Sequence, residues 1–172
     1  MNIINTLQQI KNITNKQNSF NPFDAPFGYL ENTHSDLIAK FLKSSDILLE
    51  SFLNIINISY EPKRKWNIYR EKHKIDILLE SQNKYIIIEN KIWANDQPQQ
   101  LFRYYNLLKD RGKDVAIYYL TPFGNKPSED SIKDLDVNCI SYENHIIPWL
   151  EKCKIENKDL KLIINLYVEQ IR

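Results

Sequence analysis

Apolar residues recur along this chain with two different periods, and the changes of period divide it into elements. From Glu31 onward, Leu37, Ile38, Phe41 and Leu42 fall at helical spacing, and Leu48, Leu49, Phe52, Leu53 and Ile56 carry the pattern past Ser44 and Ser45. This predicts one bent helix or two consecutive ones. Short runs rich in aromatic and β-branched residues follow at Trp66 to Tyr69, Ile75 to Leu79 and Tyr85 to Ile92, separated by polar turns, and predict three strands in a meander. Leu101, Tyr104, Tyr105 and Leu108 then share one helical face, which predicts a helix from Asp96 to Lys109 with Gly112 as its C-terminal cap. Val115 to Leu120 reads as a buried strand stopped by Thr121-Pro122-Phe123-Gly124, and Asn138 to Tyr142 as a shorter one. Helical patterns close the chain around Ile146 to Cys153 and Leu160 to Ile171. Ahead of these elements, Ile4, Leu7, Ile10 and Ile13 suggest a short amphipathic helix, and the prolines of Asn21-Pro22-Phe23-Asp24-Ala25-Pro26 a loop. Early strands, a crossover helix and later strands imply an α/β (α+β) fold with a central mixed β-sheet flanked by helices.

Composition narrows the class. A length of 172 residues with 42% hydrophobic content suits one domain spanning residues 1–172, and leaves no room for a helicase, methyltransferase or separate recognition module. No low-complexity tract or internal repeat interrupts it. Cys139 and Cys153 form no CxxC pair, and the start Met-Asn-Ile-Ile-Asn lacks the features of a secretory signal, so a reducing, cytoplasmic setting is expected. No apolar run approaches the roughly 20 residues that span a bilayer, so no membrane partner is expected. The formal charge of +1 gives no global attraction to nucleic acid. A local basic cluster exists instead in Lys63, Arg64, Lys65, Arg70, Lys72 and Lys74, against Glu61 and Glu71. Such a run either contacts phosphate or is simply solvated.

Three charged residues carry candidate chemistry. Asp76 interrupts an apolar strand, and Glu89 and Lys91 interrupt the next, where charge needs a reason. The two-residue period puts Glu89 and Lys91 on one face of their strand and Asn90 on the other. A hairpin turning symmetrically about Gln82 and Asn83 pairs Ser81 with Lys84 and, by extension, Asp76 with Glu89. Two facing carboxylates repel unless a cation sits between them. Mg²⁺ takes such oxygen ligands, lowers the pKa of a coordinated water and stabilises a phosphoryl group in transit. Lys91 would orient or deprotonate the attacking water and neutralise developing charge. The plain alternatives are a solvated edge-strand acid for Asp76 and a surface ion pair for Glu89 and Lys91.

These residues resemble the PD-(D/E)XK nuclease superfamily, with its restriction-endonuclease-like core. Ile75-Asp76 stands for the proline and aspartate of the motif, and Glu89-Asn90-Lys91 follows after a spacer of twelve residues. The match is closest to the uncharacterised bacterial and phage branch whose central motif reads Glu-Asn-Lys, and extends from about Phe20 to the C-terminus. The resemblance implies a metal-dependent nuclease that hydrolyses phosphodiester bonds, most members acting on DNA. It implies that Asp76, Glu89 and the Asn90 carbonyl bind Mg²⁺ or Mn²⁺, with Glu31 directly or through water, and that Lys91 is the catalytic lysine. Glu31 reads equally as a helix-start acid on the helix dipole. The resemblance also gives Gln100 and Tyr104, four apart on one helix face, a role in supporting the site or contacting nucleic acid; the alternative is a core Tyr104 and a partly exposed Gln100. Gln97 is a weaker addition, and His34 reads as a metal ligand, a partner of Glu31 or a structural residue. Expected partners are DNA and, for cutting both strands, a second copy of the chain in a homodimer or larger complex. A nucleic-acid-binding or assembly subunit that keeps the fold without catalysis is the competing function, and RNA the competing substrate.

Overall fold

The computed structural model of the chain describes Asn21, Phe23 and residues 31–172, so the helix expected around Ile4 to Ile13 lies outside the described residues. Of the expected loop near the prolines, Asn21 and Phe23 are described. Asn21 donates to the Leu166 carbonyl at 2.9 Å and accepts from the Phe23 N–H at 3.0 Å.

Two consecutive helices, α1 (Glu31–Ser44) and α2 (Asp46–Ile55), stand where the sequence allowed one bent helix or two. Ser45 makes the break, because its extended backbone and its Oγ, which accepts from the Ile47 N–H at 3.1 Å, start a new helix. The sheet follows in the order β1 (Asn67–Arg70), β2 (Ile77–Glu80), β3 (Lys84–Asn90), β4 (Asp114–Thr121) and β5 (Asn138–Ser141), which is also their spatial order. β1, β2 and β3 form an antiparallel meander, whereas β3, β4 and β5 are parallel, giving a mixed sheet. Helix α3 (Gln100–Lys109) is the crossover that lets β4 run parallel to β3. The chain continues through α4 (Glu129–Ile132), a π-helical turn (Tyr142–Ile146), α5 (Ile147–Lys152) and α6 (Lys158–Ile171).

Alternation along the strands builds a core on each face. Ile77, Leu79, Ile86, Ile88, Tyr118 and Leu120 face α1, α2, α5 and α6, with Phe52, Trp149 and Tyr167 filling that layer. Leu78, Tyr85, Ile87, Ile117 and Tyr119 face the other way, onto Leu101, Tyr104 and Leu108 of α3. Residues 86 and 88 therefore point toward α1, and the parity carries Asn90 to that side and Glu89 to the α3 side.

Most boundaries move by a residue or two, and the shifts around the β2–β3 hairpin and α3 have identifiable causes. Helix α3 starts at Gln100 rather than Asp96, because Gln99 is left-handed (φ 54°), Pro98 disfavours helical backbone at the residue before it, and the Asp96 carboxylate is used in tertiary bonds to the Tyr119 hydroxyl (2.8 Å) and the Ser128 N–H (2.6 Å). Its C-cap is Asp110, and Gly112 (φ +71°) instead serves the turn into β4. β2 starts at Ile77 rather than Ile75, whose N–H is taken by the Lys72 carbonyl in a 3₁₀ turn. β3 ends at Asn90, although the Lys91 N–H still bonds the Leu120 carbonyl at 2.8 Å and keeps the chain on course.

Candidate active site

The β2–β3 hairpin has the register that a turn at Gln82 and Asn83 implies: Ile77 opposes Ile88, Leu78 opposes Ile87 and Glu80 opposes Tyr85. Asp76 sits one residue before the ladder and Glu89 one residue beyond its last pair. The Asp76 carboxylate closes that gap itself, Oδ2 accepting the Asn90 N–H at 2.9 Å. Ahead of Asp76, Glu71, His73 and Lys74 all adopt left-handed backbone (φ 51°, 61° and 67°), a conformation costly for residues with a Cβ. Arg70 holds this segment, its guanidinium donating to the Asp76 carbonyl while Nε pairs with Asp36 at 2.7 Å. Tyr104 holds it from α3, donating to the Lys74 carbonyl at 2.7 Å.

On the α3 face Glu89 is 1% exposed. Its Oε1 accepts from Lys91 Nζ at 3.0 Å and from Gln100 Nε2 at 2.7 Å, and Gln100 also reaches the Tyr104 hydroxyl at 3.2 Å. Gln100 Oε1 in turn accepts the Gln97 N–H at 3.2 Å, and the Gln97 side chain, which also lines the cleft, accepts from Arg103 at 3.4 Å. Gln100 is buried, not partly exposed as the plain reading had it. Asp76, Glu89, Lys91, Gln100 and Tyr104 line one cleft of about 470 Å³, together with Glu31 at its edge. Arg103, His73 and Lys74, which sequence reasoning did not assign to the site, line it too.

Glu31 and Asn90 serve the frame of the cleft. Glu31 Oε1 accepts three successive backbone N–H groups, from Ile92, Trp93 and Ala94, at 2.8, 2.7 and 2.8 Å. It thus fixes the segment leaving β3 onto the first turn of α1. The Asn90 side chain points to the opposite face, donating to Ser35 Oγ (3.0 Å) and the Glu31 carbonyl (3.3 Å) and accepting from the Tyr142 hydroxyl (3.0 Å). His34 is buried on that far face with Nδ1 2.9 Å from the Tyr167 hydroxyl. Ser35 and Tyr142 were missed because a serine in a helix and a tyrosine after a strand carry no signal until the fold brings them to Asn90. Three of the six residues of the basic cluster form ion pairs: Arg64 with Glu61, Arg70 with Asp36 and Lys72 with Glu80.

Electrostatics mark the two carboxylates. Burial raises the Glu89 pKa to about 7, with repulsion from Asp76 adding to it and Lys91 opposing it. Burial likewise raises Asp76, against the Asn90 N–H and the charges of Lys91 and Arg70. For Lys91 the burial effect is downward, but Glu89 outweighs it and the ammonium is held above its usual value. Burial pushes Glu31 upward as well, yet its three amide bonds keep it below the usual carboxylate range.

One atom of this group lacks a partner: Glu89 Oε2 is buried and makes no hydrogen bond. A buried, unpartnered carboxylate oxygen next to a second carboxylate is the donor set of a hard divalent cation. Among the described residues no group of three or more His, Cys, Asp or Glu is gathered as a preformed cage, so two carboxylates would hold such an ion, with backbone and solvent oxygens completing the shell. No curated protein and no solved structure matches the chain. The family model of the PD-(D/E)XK nuclease superfamily matches it over residues 17–169. With nearly its whole length matched, and with a mixed five-stranded sheet whose β2 and β3 are flanked by or carry Asp76, Glu89 and Lys91, the chain belongs to the PD-(D/E)XK nuclease superfamily and has its restriction-endonuclease-like fold.

Proposed function

We propose that this protein is a divalent-metal-dependent nuclease that hydrolyses phosphodiester bonds in DNA, in restriction, phage defence, or repair and recombination. The observation that carries the reading is the unpartnered, buried Glu89 Oε2 beside Asp76, on the face to which Lys91 also points. Asp76 and Glu89, with the Asn90 carbonyl, would hold Mg²⁺ or Mn²⁺; bound there, the ion supplies Lewis-acid polarisation of the phosphoryl group and a more acidic water.

The chain's own residues do the rest. Glu89 keeps Lys91 protonated, so the ammonium would orient the attacking water and neutralise negative charge growing on the phosphoryl oxygens. In the alternative role of base, Lys91 would first give its own proton to solvent, and its amine would then take one from the attacking water. Gln100 is a positioning residue: its amide fixes which Glu89 oxygen is engaged and leaves the other facing the cleft. Tyr104 and Arg70 hold the backbone on either side of Asp76, and Glu31 holds the backbone beyond Lys91.

The test is cleavage of plasmid, of linear single- and double-stranded DNA, and of RNA in Mg²⁺ or Mn²⁺ by the wild type and by Asp76→Ala and Lys91→Ala. Cleavage that needs the metal and falls at least about 100-fold in both variants is expected, the loss typical of removing a transition-state charge partner. If the wild type cuts nothing, and calorimetry finds no Mn²⁺ binding that depends on Asp76, catalysis is abandoned in favour of a nucleic-acid-binding or assembly subunit. A homodimer, proposed for cutting both strands, is read from sedimentation of the wild type.

A further inference from the structure

Two aromatic rings stand in solvent on the segments that leave β3 and β4. Trp93 is 73% exposed and Phe123 75% exposed, whereas Trp66 and Trp149 are buried in the core. Neither exposed ring sits on a slack segment. The Trp93 N–H is one of the three that Glu31 holds, at 2.7 Å. Phe123 lies between Pro122 and Gly124 (φ +80°) in a turn closed by the Asn125 N–H on Thr121 Oγ1 at 2.7 Å. The two rings border one groove of about 720 Å³. Trp93 also opens onto a second cleft of about 510 Å³ that Lys91 and Lys126 line, and Lys91 lines the hydrolytic cleft as well. Asp96 also lines this second cleft, its carboxylate accepting from the Tyr119 hydroxyl and the Ser128 N–H, so two lysines face one carboxylate there.

Large rings held rigidly in water lose apolar stabilisation unless something covers them. Flat π-faces near cations, one of them only two residues from Lys91, suit a ligand that alternates flat bases with phosphates. We propose that Trp93 and Phe123 form a stacking site for unpaired nucleobases, so that the substrate class is nucleic acid with a single-stranded stretch at or next to the cleavage point. The proposal rests on the nuclease reading above. A paired duplex keeps its bases stacked on one another and offers these rings only its backbone, so the site distinguishes the two forms.

The test uses the full chain with Ca²⁺ in place of the catalytic metal, a short oligothymidylate and a blunt duplex. Because Trp66 and Trp149 are buried, quenching of tryptophan emission by the oligothymidylate reports on Trp93. Fluorescence anisotropy of labelled strands then compares wild type, Trp93→Ala and Phe123→Ala, with circular dichroism to check folding. The expected result is quenching in the wild type and binding of the single strand weakened about tenfold or more in each variant, with duplex binding unchanged. Equal loss on both substrates, no loss on either, or rings that instead stabilise a dimer by sedimentation would overturn the stacking site while leaving metal-dependent cleavage by the wild type intact. If the wild type neither binds nor cuts any nucleic acid, the nuclease reading falls and the stacking site with it.

Discussion

Gln100 donates through Nε2 to Glu89 Oε1 at 2.7 Å, and this bond joins the first turn of α3 to the end of β3 at a buried carboxylate whose other oxygen has no partner among the described residues. The amide saturates one side of Glu89 without neutralising it, so the charge remains available on the cleft side. Gln100→Ala is expected to weaken metal dependence on the order of 10–100-fold, the usual effect of losing a group that orients a ligand, while the fold survives. Cleavage rate against Mn²⁺ concentration checks this. An unchanged half-saturating concentration would show that Gln100 supports only packing.

Glu89 also makes the metal-free protein sensitive to pH. Its folded pKa of about 7 lies above the ordinary glutamate value of 4.5, so the folded state favours the protonated form. Stability from this group is fully present below pH 4.5 and is lost as pH rises through about 7. The melting temperature of metal-free wild type should therefore fall relative to Glu89→Gln across that window. Adding Mg²⁺ should restore most of the loss in the wild type and none in the variant, as differential scanning fluorimetry would register.

Glu31 has the opposite sign. Its pKa is held low by the amides of Ala94, Trp93 and Ile92, so its stabilisation is present above the ordinary carboxylate value and disappears as pH falls through the lowered one. Glu31→Gln keeps an acceptor oxygen and should loosen residues 92–94 only mildly, while Glu31→Ala strands three N–H groups. Hydrogen exchange at those three amides should rise in the order wild type, Gln, Ala. A simultaneous rise in the Mn²⁺ requirement of Glu31→Gln would add a metal role to the structural one.

Asn90 should matter through stability. Asn90→Ala removes three side-chain bonds, to Ser35, the Glu31 carbonyl and Tyr142, and leaves buried polar groups unmet, at a cost of about 2–4 kcal/mol. Urea unfolding checks it. A loss well under 1 kcal/mol would mean that water replaces the amide.

Much of this was legible in the sequence because strand parity is a short-range property. The hairpin register followed from the polar turn at Gln82 and Asn83, and the face assignments of Glu89, Asn90 and Lys91 followed from period two. What stayed hidden depends on chain paths between elements. That Glu31 is engaged by three amides follows from the course of residues 92–94, which no periodicity encodes. The late start of α3 reflects Asp96 bonding to Tyr119 and Ser128, partners 23 and 32 residues away in sequence. The left-handed Glu71, His73 and Lys74 are held by Arg70 and Tyr104, and none of their side chains announces that backbone.

The alternation of Glu89, Asn90 and Lys91 makes assembly self-checking. If β3 paired with its neighbours one residue out of step, Asn90 would enter the cleft, and two opposite charges would be driven against Ser35, Tyr142 and the apolar layer around Tyr167. Such a misthreaded chain could not settle, because the error that disarms the cleft also breaks the core. An intact fold and a correctly presented pair of charges are thus delivered together or not at all, and a cell would hold few copies that look native yet carry a scrambled site.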